Sequence, residues 1–150
     1  MTIVEKVWPV SGVSSQYPNY LNDTVTLTWE ERRQGHGKRR SDGGVQFAIS
    51  LQNGVILKDG DCFLLEPEAT IVKVREALEP VYVVQPESTR DWAFYSYHVG
   101  NRHLAIMIGD KELIVLQSPA SRSLLEQLQT TYTTDARPFS GTLVSPGHSY

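Results

Sequence analysis

The stretch Ser88–His103 reads Ser-Thr-Arg-Asp-Trp-Ala-Phe-Tyr-Ser-Tyr-His-Val-Gly-Asn-Arg-His, and it predicts a helix followed by a loop. Its first residue is a suitable N-cap, and Asp91 stands three residues later, where the acidic partner of a capping box belongs. Gly100 comes where a glycine in the left-handed conformation commonly ends a helix. The apolar residues at helical spacing, which share one face, are Trp92, Tyr95 and Val99.

A second apolar strip lies on the other side of this predicted helix. At about 100° per residue, His98 falls roughly 90° from the centre of the first apolar face and in line with Phe94, one turn earlier. Phe94 and Tyr97 form the second strip. A helix with two apolar strips usually packs against two neighbouring structures, and we expect the sheet of its own domain on one side. We expect a partner subunit on the other side, with His98 at the margin of that contact.

The segment 1–75 predicts a β-rich domain of short strands separated by turn signals. Alternating apolar residues indicate half-buried strands, and the Asn53-Gly54 and Asp59-Gly60 pairs are typical of tight turns. The segment Glu30–Gly44 is polar and basic, and its glycines predict that it contains no regular element. The predicted strands are Thr24–Trp29, Val45–Leu51, Asp61–Leu65 and Ala69–Val74.

The segment 76–138 predicts a second domain with the β-α-β-β-α-β order of a ferredoxin-like fold. Its second helix begins with Ser118 as N-cap and Pro119 at the first helical position. The predicted strands are Val81–Val84, Leu104–Ile108, Glu112–Leu116 and Thr133–Arg137. The fold class is therefore α+β, with a β-rich N-terminal domain and a ferredoxin-like C-terminal domain. Residues 139–150 are rich in Pro, Gly and Ser and predict a flexible tail.

Composition excludes several classes of protein. The 150 residues carry a formal net charge of −3, which argues against nucleic acid as the main partner. The single cysteine, Cys62, excludes an internal disulfide and a cysteine-rich metal site. No apolar run approaches the length of a membrane span, and Glu5 and Lys6 interrupt any signal-peptide core. We expect a cytoplasmic protein with neither a nucleic-acid nor a membrane partner.

No catalytic motif stands out. The chain has neither a glycine-rich phosphate loop nor the Gly-x-Ser-x-Gly turn of a serine hydrolase. Its carboxylates are scattered rather than paired in a motif. We therefore expect that this protein is not an enzyme.

The histidines are the candidate metal ligands. His98 has two interpretations: it can cap the helix end, where a cation favours the dipole, or it can bind a metal, because imidazole suits Ni²⁺, Cu²⁺ and Zn²⁺. One histidine cannot hold an ion alone, but a two-fold dimer would bring two His98 side chains together at its axis. His148, in the predicted tail, is a candidate additional ligand. His103 opens a predicted strand, and we expect it to be buried and structural.

The heptapeptide Tyr97-His-Val-Gly-Asn-Arg-His103 resembles the signature of the UreE family, the nickel metallochaperones that serve urease. That signature is a tyrosine followed by His-Leu-Gly-Asn-Arg-His, also placed after a helix, and only Val99 departs from it. Further segments resemble the N-terminal module of the family, so that the likeness covers about residues 30 to 130. These segments are Arg39-Arg-Ser-Asp-Gly43, Gly54-Val-Ile-Leu57 and Asp59-Gly-Asp61.

The resemblance implies a homodimer that binds Ni²⁺ through His98 of each subunit, with His148 as the residue that matches a tail histidine of some members. It also implies an N-terminal domain that docks protein partners. Those partners are the urease accessory GTPase, other accessory proteins and the urease apoprotein. The segment Gly109–Arg122 lacks the further histidines of some relatives, so we expect no second peripheral site.

Two other hypotheses stay open at this point. The chain would be a metal-free adaptor in an assembly complex if His98 only caps its helix. It would be an RNA-binding module if the basic segment Arg32–Arg40 contacts phosphates, which requires affinity that falls steeply with salt.

Overall fold

A computed structural model describes residues 1–9 and 12–142 of the chain. The chain divides into two compact units, Met1–Ala77 and Leu78–Tyr150; the sequence-based boundary was at 75/76. In the described ranges, no helix has the length and apolar character needed to cross a membrane. The mixture of helices and sheets confirms the predicted α+β class.

The N-terminal unit is built mainly from short strands, which form two three-stranded sheets with the orders β1-β4-β3 and β2-β6-β5. Its elements in chain order are β1 (Thr2–Val4), α1 (Val13–Gln16), β2 (Leu21–Leu27), α2 (Trp29–Arg33), β3 (His36–Arg40), β4 (Gln46–Ser50), β5 (Cys62–Leu65) and β6 (Thr70–Glu76). Both sheets contribute inward side chains to one core, where the rings of Phe47 and Phe63 lie 5.6 Å apart. The predicted β-rich unit is therefore present.

The segment from Trp29 to Arg40 differs from the prediction, because it contains helix α2 and strand β3. Thr28 and Glu31 form a reciprocal capping box at the start of α2, and this local pairing outweighs the alternation that placed Trp29 in a strand. Gly37 does not interrupt β3; it adopts a φ of 134° there, a conformation that favours glycine.

A smaller cluster covers the other face of the β2-β6-β5 sheet. Val13, Cys62 and Ile71 are buried in it, beside the aromatic rings of Trp8, Tyr17 and Tyr20. Burial raises the pKa of the Cys62 thiol, which disfavours the reactive thiolate. Cys62 is therefore a small buried residue of this cluster, with its thiol free.

The turn between β3 and β4 is attached to strand β2 by Asp23. The backbone N–H of Gly43 donates to Asp23 Oδ1 over 3.0 Å, and the N–H of Thr24 donates to the same oxygen over 2.8 Å. Desolvation of the carboxyl opposes its ionisation, but the hydrogen bonds from Ser41, Thr24 and Gly43 outweigh it and lower the pKa of Asp23.

The C-terminal unit has the predicted ferredoxin-like order and topology. Its elements are β7 (Leu78–Val84), α3 (Thr89–Asn101), β8 (Met107–Gly109), β9 (Glu112–Leu116), α4 (Pro119–Gln127) and β10 (Thr133–Pro138). The strands form one antiparallel sheet in the order β10-β7-β9-β8. The apolar faces of α3 and α4 pack on this sheet, with Val99, Leu124 and Leu125 buried in the same core as Tyr82 and Leu113.

The flexible tail was predicted to begin at residue 139, and this boundary is wrong. The side chain of Phe139 is fully buried, and the N–H of Thr142 donates to the carbonyl of Ile106 over 2.6 Å. Proline and glycine content indicated a tail, but one buried aromatic residue holds this part of the chain on the unit. His148 lies outside the described residues.

We expect Gly43→Ala to lower the free energy of unfolding by about 1–3 kcal/mol. A Cβ at this position would lie 2.6 Å from Asp23 Oδ2, and the hydrogen bonds to Asp23 prevent the carboxylate from moving away. Urea denaturation measures the change. Gly35→Ala is the matched control, because its Cβ would meet Leu51 at an ordinary 3.5 Å; equal stability of the two variants would contradict the packing described for Asp23.

Candidate metal centre

Helix α3 begins where the sequence predicted. The backbone N–H of Asp91 donates to Ser88 Oγ over 3.0 Å, as an N-cap requires. The Asp91 carboxylate accepts from the N–H of Glu87 over 3.2 Å rather than from that of Ser88, so the capping box is a shifted version of the usual one. The predicted inward face is confirmed, because Val99 is buried and Trp92 and Tyr95 pack against the same core.

The end of α3 differs from the prediction. Gly100 remains helical and the helix runs to Asn101, whereas the residue in the left-handed conformation is His103, with a φ of 56°. The N–H of His103 donates to the carbonyl of Gly100, and the N–H of Leu104 donates to that of Val99. These two bonds are the Schellman motif, with His103 in the position that usually holds glycine.

The physical reason is the packing of Leu104. This residue, directly after the left-handed one, packs against the same core cluster that contains Val99, and an apolar contact between these two positions commonly accompanies a Schellman end. Ending the helix with Gly100 in the left-handed position would have set Asn101 against Ser96 instead, a polar pair with nothing to bury.

The structure places His103 differently from the prediction. His103 is exposed and precedes the strand, which begins only at Met107, so the expectation of a buried strand residue is wrong. Asn101 is the last residue of α3. Arg102 reaches helix α4, where its Nη2 donates to Gln127 Oε1 over 2.8 Å, and in this way the end of α3 is tied to the end of α4.

His98 lies in the last turn of α3, half-buried beside two aromatic rings. Its imidazole stands 4.6 Å from the ring of Phe94, at an interplanar angle of 69°, and 5.2 Å from the ring of Tyr97, at 83°. Both contacts are edge-to-face, an arrangement that aromatic pairs prefer. The two rings restrict the rotamers of His98 and hold its side chain against the outer side of the helix.

The outer strip of α3 extends one turn beyond Phe94, toward the start of the helix. The guanidinium of Arg90 lies 5.2 Å from the centre of the Phe94 ring, a cation–π distance. Arg90, Phe94 and His98 follow one another at intervals of four residues, and this spacing is a signal that the sequence contains. Tyr97, beside them, is 66% exposed.

The ring nitrogens of His98 are not used to cap the helix. The backbone N–H groups of Arg102, His103 and Leu104 already satisfy the last carbonyls of α3. In the two described ranges, no hydrogen bond reaches the His98 imidazole. Both nitrogens therefore remain open to a ligand, which favours the metal interpretation of His98 over the capping one.

A single chain does not form a complete ion site in the part that the structure describes. Residues 1–9 and 12–142 contain no group of three or more His, Cys, Asp or Glu side chains placed to hold a metal ion. His36 lies in the N-terminal unit, exposed on β3, with its Nδ1 3.4 Å from Ser50 Oγ. A site at His98 with three or more such protein ligands would therefore need residues outside the described ranges or a second chain.

Comparison with known proteins gives matches along most of the chain. The model of the UreE urease accessory protein N-terminal domain matches residues 12–75, and that of the C-terminal domain matches residues 79–149. One similar protein is the urease accessory protein UreE of Chelativorans sp., which is 32% identical over 79% of this chain and 74% of the relative. The urease accessory protein UreE of Nostoc sp. is 30% identical over 100% of this chain and 98% of the relative. The UreE of Lysinibacillus sphaericus is 28% identical over 99% of both chains.

Two substitutions test the geometry of the helix end. Gly100→Ala should raise the free energy of unfolding by about 0.5–1 kcal/mol, because alanine favours a helix and its Cβ would enter open space. His103→Gly should raise it by a similar amount, since glycine removes the cost of the left-handed conformation. Thermal unfolding measures both; a destabilising Gly100→Ala would show that the helix ends at Gly100 after all.

Proposed function

Because the chain belongs to the UreE family of urease accessory proteins, we infer that it serves the maturation of urease, and we propose that it does so as a nickel metallochaperone. The observation that carries this proposal is His98, which two aromatic rings hold on the outer side of α3 and whose ring nitrogens form no hydrogen bond within residues 1–9 and 12–142. We propose a protein that carries an ion rather than one that catalyses a reaction.

The proposed site lies between two copies of the chain. An isologous contact through the outer strip of α3 would place each His98 near its symmetry mate, and two neutral imidazoles would bind one Ni²⁺ between the subunits. Exposed Tyr97 and half-exposed Phe94 supply apolar surface that such a contact would remove from water. His148, outside the described residues, is proposed as an additional ligand from the C-terminal segment.

A site with so few protein ligands suits delivery. Open coordination positions let an acceptor protein attach its own ligands before the imidazoles release the ion. Imidazole ligation also suits Zn²⁺ and Cu²⁺, and the usual affinity order of divalent ions does not favour nickel over copper. We propose Ni²⁺ as the cargo because the chain belongs to a family that assembles urease.

The partners proposed for this delivery are the urease accessory GTPase, the other accessory proteins and the urease apoprotein. The two units divide the work in this proposal: the C-terminal unit dimerises and holds the ion, while the N-terminal unit docks protein partners. The N-terminal unit has a core of its own, formed by both of its sheets, which suits a separate docking role.

Nickel binding should depend on His98. We expect wild-type protein to bind about one Ni²⁺ per dimer, and His98→Ala to weaken binding by more than about a hundredfold, because the loss of a ligand exceeds the effect of losing an outer-shell partner. Isothermal titration calorimetry measures the affinity and the stoichiometry. The matched control is His36→Ala, an exposed histidine of the other unit, and it should bind as wild type does; unchanged affinity in His98→Ala refutes the site.

Dimerisation should depend on the outer strip of α3. Tyr97→Glu places a charge on that strip without disturbing the core, because Tyr97 is 66% exposed. We expect sedimentation velocity to show a monomer, with nickel affinity lowered in parallel. Ile108→Glu alters another exposed apolar residue of the same unit, 55% exposed, and should leave the dimer intact. A Tyr97→Glu dimer as stable as wild type would place the interface elsewhere.

A further inference from the structure

The basic segment Arg32–Arg40 contains cations that stabilise the fold itself. Arg32 is 1% exposed and pairs with Glu76 over 3.2 Å, and the guanidinium of Arg33 lies 5.5 Å from the ring of Trp29. Arg39 donates to the carbonyls of Glu31, Gln34 and Lys38 at 3.5, 3.2 and 2.8 Å, which caps the end of α2. These three arginines are therefore engaged within the N-terminal unit.

Lys38 and Arg40 are different. Both are exposed on strand β3, and neither forms an ion pair with a carboxylate of the described residues. They alternate with Arg39, so both point to the outer face of the β1-β4-β3 sheet, roughly 7 Å apart along the strand. In an extended peptide, every second side chain lies on the same face, at about this spacing. Two unpaired cations on β3 can therefore pair with two such side chains.

Apolar side chains lie across the same face. Lys38 is opposite Ala48 on β4, and Ala48 is in turn opposite Ile3 on β1. Ile3 is 63% exposed, and Met1 at the same edge is 65% exposed. Across the sheet, this row therefore contains the cation Lys38, the small residue Ala48 and the exposed aliphatic residue Ile3.

A groove crosses this face beside Lys38 and Arg40. It has a volume of about 390 Å³ and is lined by Met1, Lys38, Arg39, Arg40 and Gln46. None of the residues that line it is acidic. The outward residues of the three strands, Ile3, His36, Lys38, Arg40, Gln46, Ala48 and Ser50, include no carboxylate either. The groove is therefore cationic at one side and apolar at the other, in a chain whose net charge is −3.

We propose that the outer face of the β1-β4-β3 sheet binds an acidic, extended segment of a partner protein. Carboxylates two residues apart on that segment pair with Lys38 and Arg40, and an apolar side chain beside them rests on Ala48 and Ile3. Complementary charge directs the encounter and sets the register of the segment. This proposal deepens the docking role proposed for the N-terminal unit, and it does not depend on nickel.

Protein is favoured over RNA by the composition of the face. Recognition of single-stranded RNA relies on aromatic side chains on which bases stack, and the outward residues of this sheet include no Phe, Tyr or Trp and a single histidine, His36. Exposed aliphatic residues beside two cations suit an amphipathic peptide instead.

An NMR titration of the full-length, ¹⁵N-labelled protein tests the proposal. The probe is an unstructured peptide in which Glu alternates with Leu and Val, and its counterpart carries Gln in place of every Glu. We expect the acidic peptide to shift the amide signals of Ile3, Lys38 and Ala48, with binding weakened at higher salt. The Gln peptide should bind about tenfold more weakly. Equal binding of the two peptides, or shifts confined to other residues, overturns the proposal.

Charge-reversed variants locate the effect. Lys38→Glu/Arg40→Glu should bind the acidic peptide at least about tenfold more weakly, and Lys38→Gln/Arg40→Gln should fall between it and wild type. The control Lys58→Glu/Lys111→Glu changes two exposed cations outside this sheet and should bind nearly as wild type does. An unchanged affinity in Lys38→Glu/Arg40→Glu refutes the assignment, as does a labelled oligouridine that binds here while the peptide does not.

The nickel titration of the same variants separates this proposal from the preceding one. Lys38→Glu/Arg40→Glu should bind Ni²⁺ as wild type does, because His98 lies in the other unit. Lost peptide binding with intact nickel binding supports the docking face. Intact peptide binding in His98→Ala, together with lost nickel binding, shows that the two sites fail independently.

Discussion

The packing of Leu104 against the core that contains Val99 determines where helix α3 ends, and the candidate site depends on it. Because Leu104 must reach the core, the helix continues past Gly100 and closes on His103 in the left-handed conformation. The last carbonyls of the helix are then satisfied by backbone N–H groups. The imidazole of His98, one turn earlier, is therefore not needed to cap the helix.

The surroundings of His98 restrict the orientation of its ring and leave its nitrogens without a partner in the described residues. Phe94 and Tyr97 restrict the orientation of its ring through edge-to-face contacts, while its nitrogens accept and donate nothing within the described ranges. These nitrogens are not among the buried polar atoms without a partner in the described residues, so a ligand can reach them. A second copy of the chain and a shared ion, as we propose, would use these nitrogens and the exposed strip of α3 in the same step.

The N-terminal unit shows a comparable division between structural and available groups. Arg32 and Arg39 look alike in the sequence, as members of one basic segment, yet the first is buried beside Glu76 and the second caps α2. Lys38 and Arg40 remain outward on β3. The number of basic residues therefore overstates the charge that this unit presents to a partner, and their alternation along the strand decides which of them remain accessible.

The sequence by itself determined the ferredoxin-like order of the C-terminal unit and the starts of its helices. Each N-cap, Ser88 and Ser118, bonds to an N–H only three residues away, so local rules are sufficient. Only the tertiary structure decided the end of α3 and the burial of Phe139. Those outcomes depend on whether a particular apolar side chain reaches a core built from distant strands, and neither residue spacing nor composition contains that information.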